Sequence, residues 1–187
     1  MNRDHQYEFF QSEEYVIWKQ NSYDLIIKSI DSFPKTLLDI GCGPAYESRW
    51  MHRDYNTEIY LLDVQPSGKN RLKDYGPVES FDGYNSLEQL EKLWQSQGTS
   101  NYHLVNGDDP KIDDSVKFDM IWSFASAGFH YPVSTYLDLI KKHSDQNTTL
   151  IFNIRDHVKN KHSKYLSFVK LIQKGKSSAT WQCRIKD

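Results

Sequence analysis

Apolar and polar positions along this chain fall into blocks whose period switches repeatedly between helix-like and strand-like. From residue 7 to 31, apolar side chains recur at helical spacing: Phe10, Val16, Ile17, Trp18, Leu25, Ile26 and Ile30. That period turns one face of a helix inward. Phe33-Pro34 ends the pattern, because proline disfavours helical backbone in the residue before it. Thr36–Ile40 (TLLDI) is short and apolar and runs straight into Gly-Cys-Gly-Pro-Ala, which predicts a buried strand entering a tight turn. Tyr46–Tyr55 is expected to be a helix, and Glu58–Val64 (EIYLLDV) a second buried strand.

Gln65–Asp82 is polar and punctuated by Pro66, Gly68, Gly76 and Pro77, so it reads as a long loop. A helical pattern then runs through Leu87, Leu90, Leu93 and Trp94, with Ser86 as N-cap and its end near Gly98. Tyr102–Val105, Phe118–Phe124 and Thr148–Ile154 read as three further strands, and Ser134–His143 as a helix after Pro132. The tail allows two readings: a helix over Tyr165–Ile172, or strands Phe168–Gln173 and Ala179–Ile185 joined at Lys174-Gly175-Lys176. The hairpin is preferred, since a glycine lies between two β-compatible runs. Strands alternating with helices predict an α/β, doubly wound, Rossmann-like sheet, mostly parallel, with helices on both faces. The C-terminal antiparallel hairpin would place its antiparallel strand near one edge. Residues 1–187 are expected to form one domain, with a helical segment at 1–35 packed onto it.

Composition narrows the function. A chain of 187 residues suits one domain. A formal net charge of −2 argues against nucleic acid as a partner, because neutralising phosphates takes a Lys/Arg excess on one face. Lysines do gather near the end (Lys159, Lys161, Lys164, Lys170, Lys174, Lys176), but they are spread among apolar residues and read as a solvated face. No apolar run approaches the roughly 20 residues that a membrane span needs, and the amino terminus opens polar and acidic, unlike a signal peptide. Cys42 and Cys183 have no metal-ligand spacing and suggest no disulfide framework. The expectation is a cytoplasmic protein with no membrane, nucleic-acid or metal partner.

The loop after the first strand is where chemistry is expected. In an open parallel sheet, ligands bind beyond the carboxyl ends of the strands, where strand order reverses. Gly41 and Gly43 allow a sharp turn and a close approach by a ligand. Asp63 follows Asp39 by 24 residues, near the spacing at which an acidic side chain reaches a ribose. Ala45 replaces a third glycine, tolerably if its backbone is helical, and no P-loop Lys-Ser/Thr follows. A nucleoside without phosphates is the better expectation.

The run Leu37–Ala45 (LLDIGCGPA) resembles the first motif of the class I S-adenosylmethionine (SAM)-dependent methyltransferases. Tyr60–Val64 is similar to their second motif, Asn106–Asp108 to their third, and Phe118–Phe124 to their fourth strand, in correct order over roughly 36–155. The resemblance implies that Gly41 and Gly43 wrap the methionine part of SAM and that Asp39 orients it through the loop backbone. It further implies that Asp63 takes the ribose hydroxyls and Asp108 the adenine amino group, with Asp109 competing for that role.

Ser123–Pro132 (SFASAGFHYP) lies where this family assembles its acceptor pocket. Small residues at 125–128 would let donor and acceptor approach. His130 is the candidate general base, since histidine titrates near neutrality; the alternative is a histidine bonded to a backbone carbonyl at a loop end. The Asn/Asp-Pro-Pro-Tyr/Phe pattern of amine and amide methylation is missing from this run. Gly128–Asp138 and Tyr84–Leu87 are similar to a group described as sugar O-methyltransferases. Arg155 and Asp156 are within reach of a polar substrate, or Arg155 simply caps the sheet end. The leading expectation is SAM-dependent O-methylation of a small hydroxylated acceptor, with a non-catalytic SAM-fold module and a NAD-binding oxidoreductase as alternatives. No Gly-x-Ser-x-Gly elbow supports a hydrolase.

Overall fold

The computed structural model describes residues 11–63, 87–96 and 98–186. Strands β1 (Thr36–Ile40), β2 (Glu58–Asp63), β3 (Tyr102–Asn106), β4 (Met120–Ser123), β5 (Thr149–Arg155), β6 (Leu166–Lys174) and β7 (Ser178–Ile185) form one sheet in the order β3-β2-β1-β4-β5-β7-β6. The pairs β2·β3, β1·β2, β1·β4 and β4·β5 are parallel. β7 inserts antiparallel between β5 and β6, one place in from the edge. The hairpin expectation for the tail therefore holds, and the helix over Tyr165–Ile172 does not form.

The helices are α1 (Glu13–Ile27), α2 (Tyr46–Tyr55), α3 (Leu87–Ser96), α4 (Leu137–Lys142) and α5 (Lys159–His162). α1, α2 and α3 cover one sheet face, where Tyr23, Ile26, Trp50 and Trp94 pack with Leu37, Ile59, Leu61 and Trp122. The segment around α4 covers the other, where Val133, Tyr136 and Ile140 pack with Leu38, Ile40, Leu62 and Ile121. Alternate residues of β1 and β2 feed the two cores, as a strand's period of two requires. The helix expected over Ser134–His143 is a 3-10 turn at Val133–Thr135 followed by α4.

The inward face of α1 matches expectation only in part. Tyr15, Lys19, Tyr23 and Ile26 are buried, whereas Ile17 and Trp18 stand 52% and 54% exposed and Leu25 is also exposed. α1 packs on α2 through Tyr15 against Tyr46 and Tyr23 against Trp50, so a large half-polar face fits this groove. Its polar ends find partners there: the Tyr23 hydroxyl donates to Asp54 at 3.0 Å, and the Lys19 ammonium donates to Glu47 at 2.7 Å. A hydrophobicity count ranks Ile17 and Trp18 above Tyr23 and Lys19 and so misplaces part of the stripe, whereas Ile26 is buried and Val16 and Ile30 pack against the same core as expected. Ser12 caps α1 by accepting the Tyr15 N–H at 3.2 Å. Phe10, the loop at 65–82, Tyr84, Asn85 and the Ser86 cap lie outside the described residues.

Candidate cofactor and acceptor site

β1 runs between β2 and β4, so strand order reverses beside it, the place where an open parallel sheet forms its ligand crevice beyond the carboxyl ends of the strands. The loop that follows β1 is held against the end of β2, where Leu62 O accepts from the Gly41 N–H at 2.7 Å and the Cys42 N–H at 3.2 Å. Gly41, Gly43 and Ala45 all have left-handed backbone, with φ of 67°, 52° and 53°. Two of these places need glycine for different reasons. A Cβ at Gly41 would fall 2.1 Å from Ser126 Cβ, whereas one at Gly43 would meet nothing within 4 Å. At Gly41 the Cβ side is thus filled by the protein itself, and the open side of the turn lies at Gly43. Ala45 does not have the right-handed helical backbone that would make it an easy replacement for glycine. It carries the left-handed strain of about 1–2 kcal/mol and is held by its buried place at the start of α2.

Asp39 is buried near the end of β1 and accepts from the Ser48 hydroxyl at 2.6 Å. Burial pushes its carboxyl up to about 7, against the favourable Ser48 bond and with the Glu47 charge adding to the rise. Trp122, its register partner on β4, favours the ionised form, although its indole N–H closes no hydrogen bond. Close by, Lys19 and Glu47 form an ion pair whose side chains are nearly excluded from solvent. Burial works against the Lys19 charge, yet Glu47 and Tyr15 outweigh it and its pKa rises. The ammonium also lies over the rings of Tyr15, Trp18 and Phe124. Neither Lys19 nor Glu47 was legible as a site residue, because each is an unremarkable helix position until α1 is docked on α2.

Asp63 ends β2 and accepts from the Gly43 N–H at 2.8 Å, with the Cys42 thiol at 3.9 Å. Burial pushes that thiol well up, which leaves it unreactive. The Gly107 N–H donates to Asp63 O at 2.8 Å, and the Asp108 N–H to Asn106 Oδ1 at 3.0 Å. The third-strand turn is thereby hung from Asp63, and Asp108 is exposed on it. Asp39, Gly41, Gly43, Asp63 and Asp108 are therefore brought to one edge. Tyr136 joins them: its hydroxyl lies 3.0 Å from Ser126 Oγ, and its pKa is raised by burial, with Asp63 and Asp108 adding to the rise. The chain pattern offered only a Thr-Tyr-Leu-Asp run here, and Tyr136 was not singled out.

The segment expected to form the acceptor pocket is a tight turn. Ser126 O accepts from the N–H groups of Phe129, His130 and Tyr131, each at 3.0 Å. Gly128 has φ 86°, and a Cβ there would fall 2.1 Å from Ile154 Cδ1. His130 is half-buried and packs edge-to-face on Phe129, with centroids 4.8 Å apart. The Arg155 guanidinium lies 4.3 Å from the Phe129 centroid. Burial, with the Arg155 charge, holds the His130 imidazole down at about 4. An ionisation near neutrality is therefore not what this site provides. No cluster of metal-ligating residues occurs among the described residues. No described helix is long and apolar enough to cross a membrane.

Solved structures share this architecture. The fold is that of the class I SAM-dependent methyltransferases. A SAM-dependent methyltransferase from Aquifex aeolicus superposes with a TM-score of 0.65 at 11% identity, covering 98% of each chain. The PH0226 protein from Pyrococcus horikoshii OT3 gives 0.67 at 12% identity, covering 95% of this chain and 93% of its own. Ribosomal protein L11 methylase from Lactobacillus delbrueckii subsp. bulgaricus gives 0.60 at 16% identity, covering 90% and 79%. No family model matches the chain. At these identities the likeness is one of fold, and the site must carry any statement about activity.

Proposed function

We propose that the protein is a SAM-dependent methyltransferase acting on a hydroxyl of a small molecule such as a sugar. The observation that carries this reading is the Gly43 turn, open on its outer side and bonded to Asp63 at the point where strand order reverses. The donor set fits a nucleoside: two carboxylates, Asp63 and Asp108, stand on adjoining strand ends to accept from ribose hydroxyls and an exocyclic amine. A Cβ at Gly43 would intrude where the methionine portion is expected to lie. Proteins of this fold include a ribosomal protein methylase and a precorrin methyltransferase, so the fold does not choose the acceptor.

When bound, SAM supplies an electrophilic methyl group on a sulfonium. The chain's own contribution is alignment and water exclusion. Ser126 packs the turn after β4 on Gly41, and the Ser123 hydroxyl bridges Ile40 O and the Ala127 N–H, so the two loops are tied together. His130, neutral at physiological pH, would take the hydroxyl proton as the oxygen is methylated. Thermal shift and calorimetry test the assignment. SAM or S-adenosylhomocysteine should raise the melting midpoint while NAD leaves it unchanged. Stabilisation by NAD instead would assign the site to an oxidoreductase. Binding of SAM with no turnover over a broad panel of hydroxylated metabolites would point to a binding module.

A further inference from the structure

The carboxyl edge of the sheet is electrically divided. Asp39, Asp63 and Asp108 stand at the ends of β1, β2 and β3, whereas Arg155 is the last residue of β5. We infer that Arg155 binds an anionic group, a carboxylate or a phosphate, carried by the methyl acceptor; this names the substrate class for the methyltransferase site proposed above and rests on that reading.

Arg155 is built into the acceptor turn. Its backbone N–H donates to Gly128 O at 3.2 Å, and its guanidinium stacks over Phe129, beside His130. The cation has no anionic partner among the described residues. Its Nε is buried without a hydrogen bond. Asp156, the adjoining carboxylate, is taken at both oxygens by the Lys174 ammonium at 2.6 Å. Lys159, the next cation along, rests over Trp181 and Phe168 instead. A buried guanidinium N–H without an acceptor is costly, and a planar guanidinium fork positioned over an aromatic ring suits a carboxylate or phosphate. A cationic donor on the acidic half of the crevice and an anionic acceptor on the Arg155 half would satisfy both sides.

The same geometry links binding to the chemistry. The Arg155 charge is one of the two causes that hold His130 at about 4, burial being the larger. An oxyanion on Arg155 offsets that field and makes the neighbouring imidazole a stronger base. An acceptor with the anionic group would therefore improve its own deprotonation, and a neutral analogue would not.

The test is a histidine-resolved NMR titration of the full chain in chloride, inorganic phosphate or malonate at equal ionic strength, since both probes stay anionic where His130 titrates. Phosphate, malonate or both should raise the His130 midpoint by about one pH unit over chloride. A response to one alone identifies phosphate or carboxylate as the group bound. Arg155→Met should raise the midpoint in chloride and abolish the anion response, and Arg155→Lys should retain part of it. If neither anion moves His130, or if the response survives Arg155→Met, the inference is overturned. SAM affinity measured on the same samples separates the two levels. Loss of SAM binding with an intact anion response would remove the methyltransferase reading alone.

Discussion

Gly41 lies directly against Ser126, so close that a methyl group on Gly41 would overlap the serine side chain. This contact joins the loop after β1 to the turn after β4. Gly41→Ala therefore combines overpacking with left-handed strain, and unfolding in urea should show a loss of about 2–4 kcal/mol. At Gly43 a substitution meets open space, so Gly43→Ala should cost only the strain, about 1 kcal/mol. Gly43→Val should still fold but lose SAM binding in calorimetry. Equal loss of stability at both positions would contradict this division of roles.

Asp63 holds the loop through the Gly43 N–H and faces the same crevice as Asp108. Asp63→Ala should weaken SAM by about 1.5–3 kcal/mol, the scale of one or two charge-assisted bonds. Affinity within twofold of the parent would reduce Asp63 to a loop anchor.

Lys19 and Glu47 form a buried pair between α1 and α2. Lys19→Met strands a carboxylate and should cost about 3–5 kcal/mol. The double variant Lys19→Met/Glu47→Leu should recover most of that loss in the same urea titration. Additive losses in the double variant would mean that the two charges are not coupled.

Asp39 gives a pH dependence of unusual sign. Its folded pKa of about 7 lies above its ordinary 3.8, so between these values the folded state holds the proton more tightly than the unfolded one. Its contribution is most favourable below the lower value and is lost as pH rises toward about 7, by up to about 4 kcal/mol. Asp39→Asn should therefore be more stable than the parent at alkaline pH, with the difference shrinking as the pH falls to 4. A constant difference across that range would show that Asp39 stays ionised in the fold.

His130→Ala should lower turnover about 10²–10⁴-fold while leaving SAM affinity unchanged. Because burial and Arg155 hold the imidazole at about 4, the parent enzyme in the absence of acceptor effects should show no acidic limb between pH 5 and 7. Near-normal turnover in the folded variant would leave alignment alone to explain catalysis.

The fold was largely legible because its signals are local. Five short apolar runs, most of them separated by helical periods, predict a parallel α/β sheet, and the glycine between two β-compatible runs favours the C-terminal hairpin. The candidate cofactor site was legible for the same reason: Asp39, Gly41, Gly43, Asp63 and Asp108 each lie at or just past the carboxyl end of a strand, and parallel strands bring those ends to one edge. Chain order alone therefore determined which residues share the crevice. It did not determine what each touches. That Ser126 fills the space a Cβ at Gly41 would take, and that Tyr136 stands near Asp63 and Asp108, depends on how the turn after β4 folds back. The face of α1 was decided the same way, since Lys19 and Tyr23 are worth burying only where Glu47 and Asp54 wait on α2. The proton affinities of Asp39 and His130 belong wholly to the tertiary structure, because desolvation and a neighbour's charge are set by packing between segments far apart in the chain.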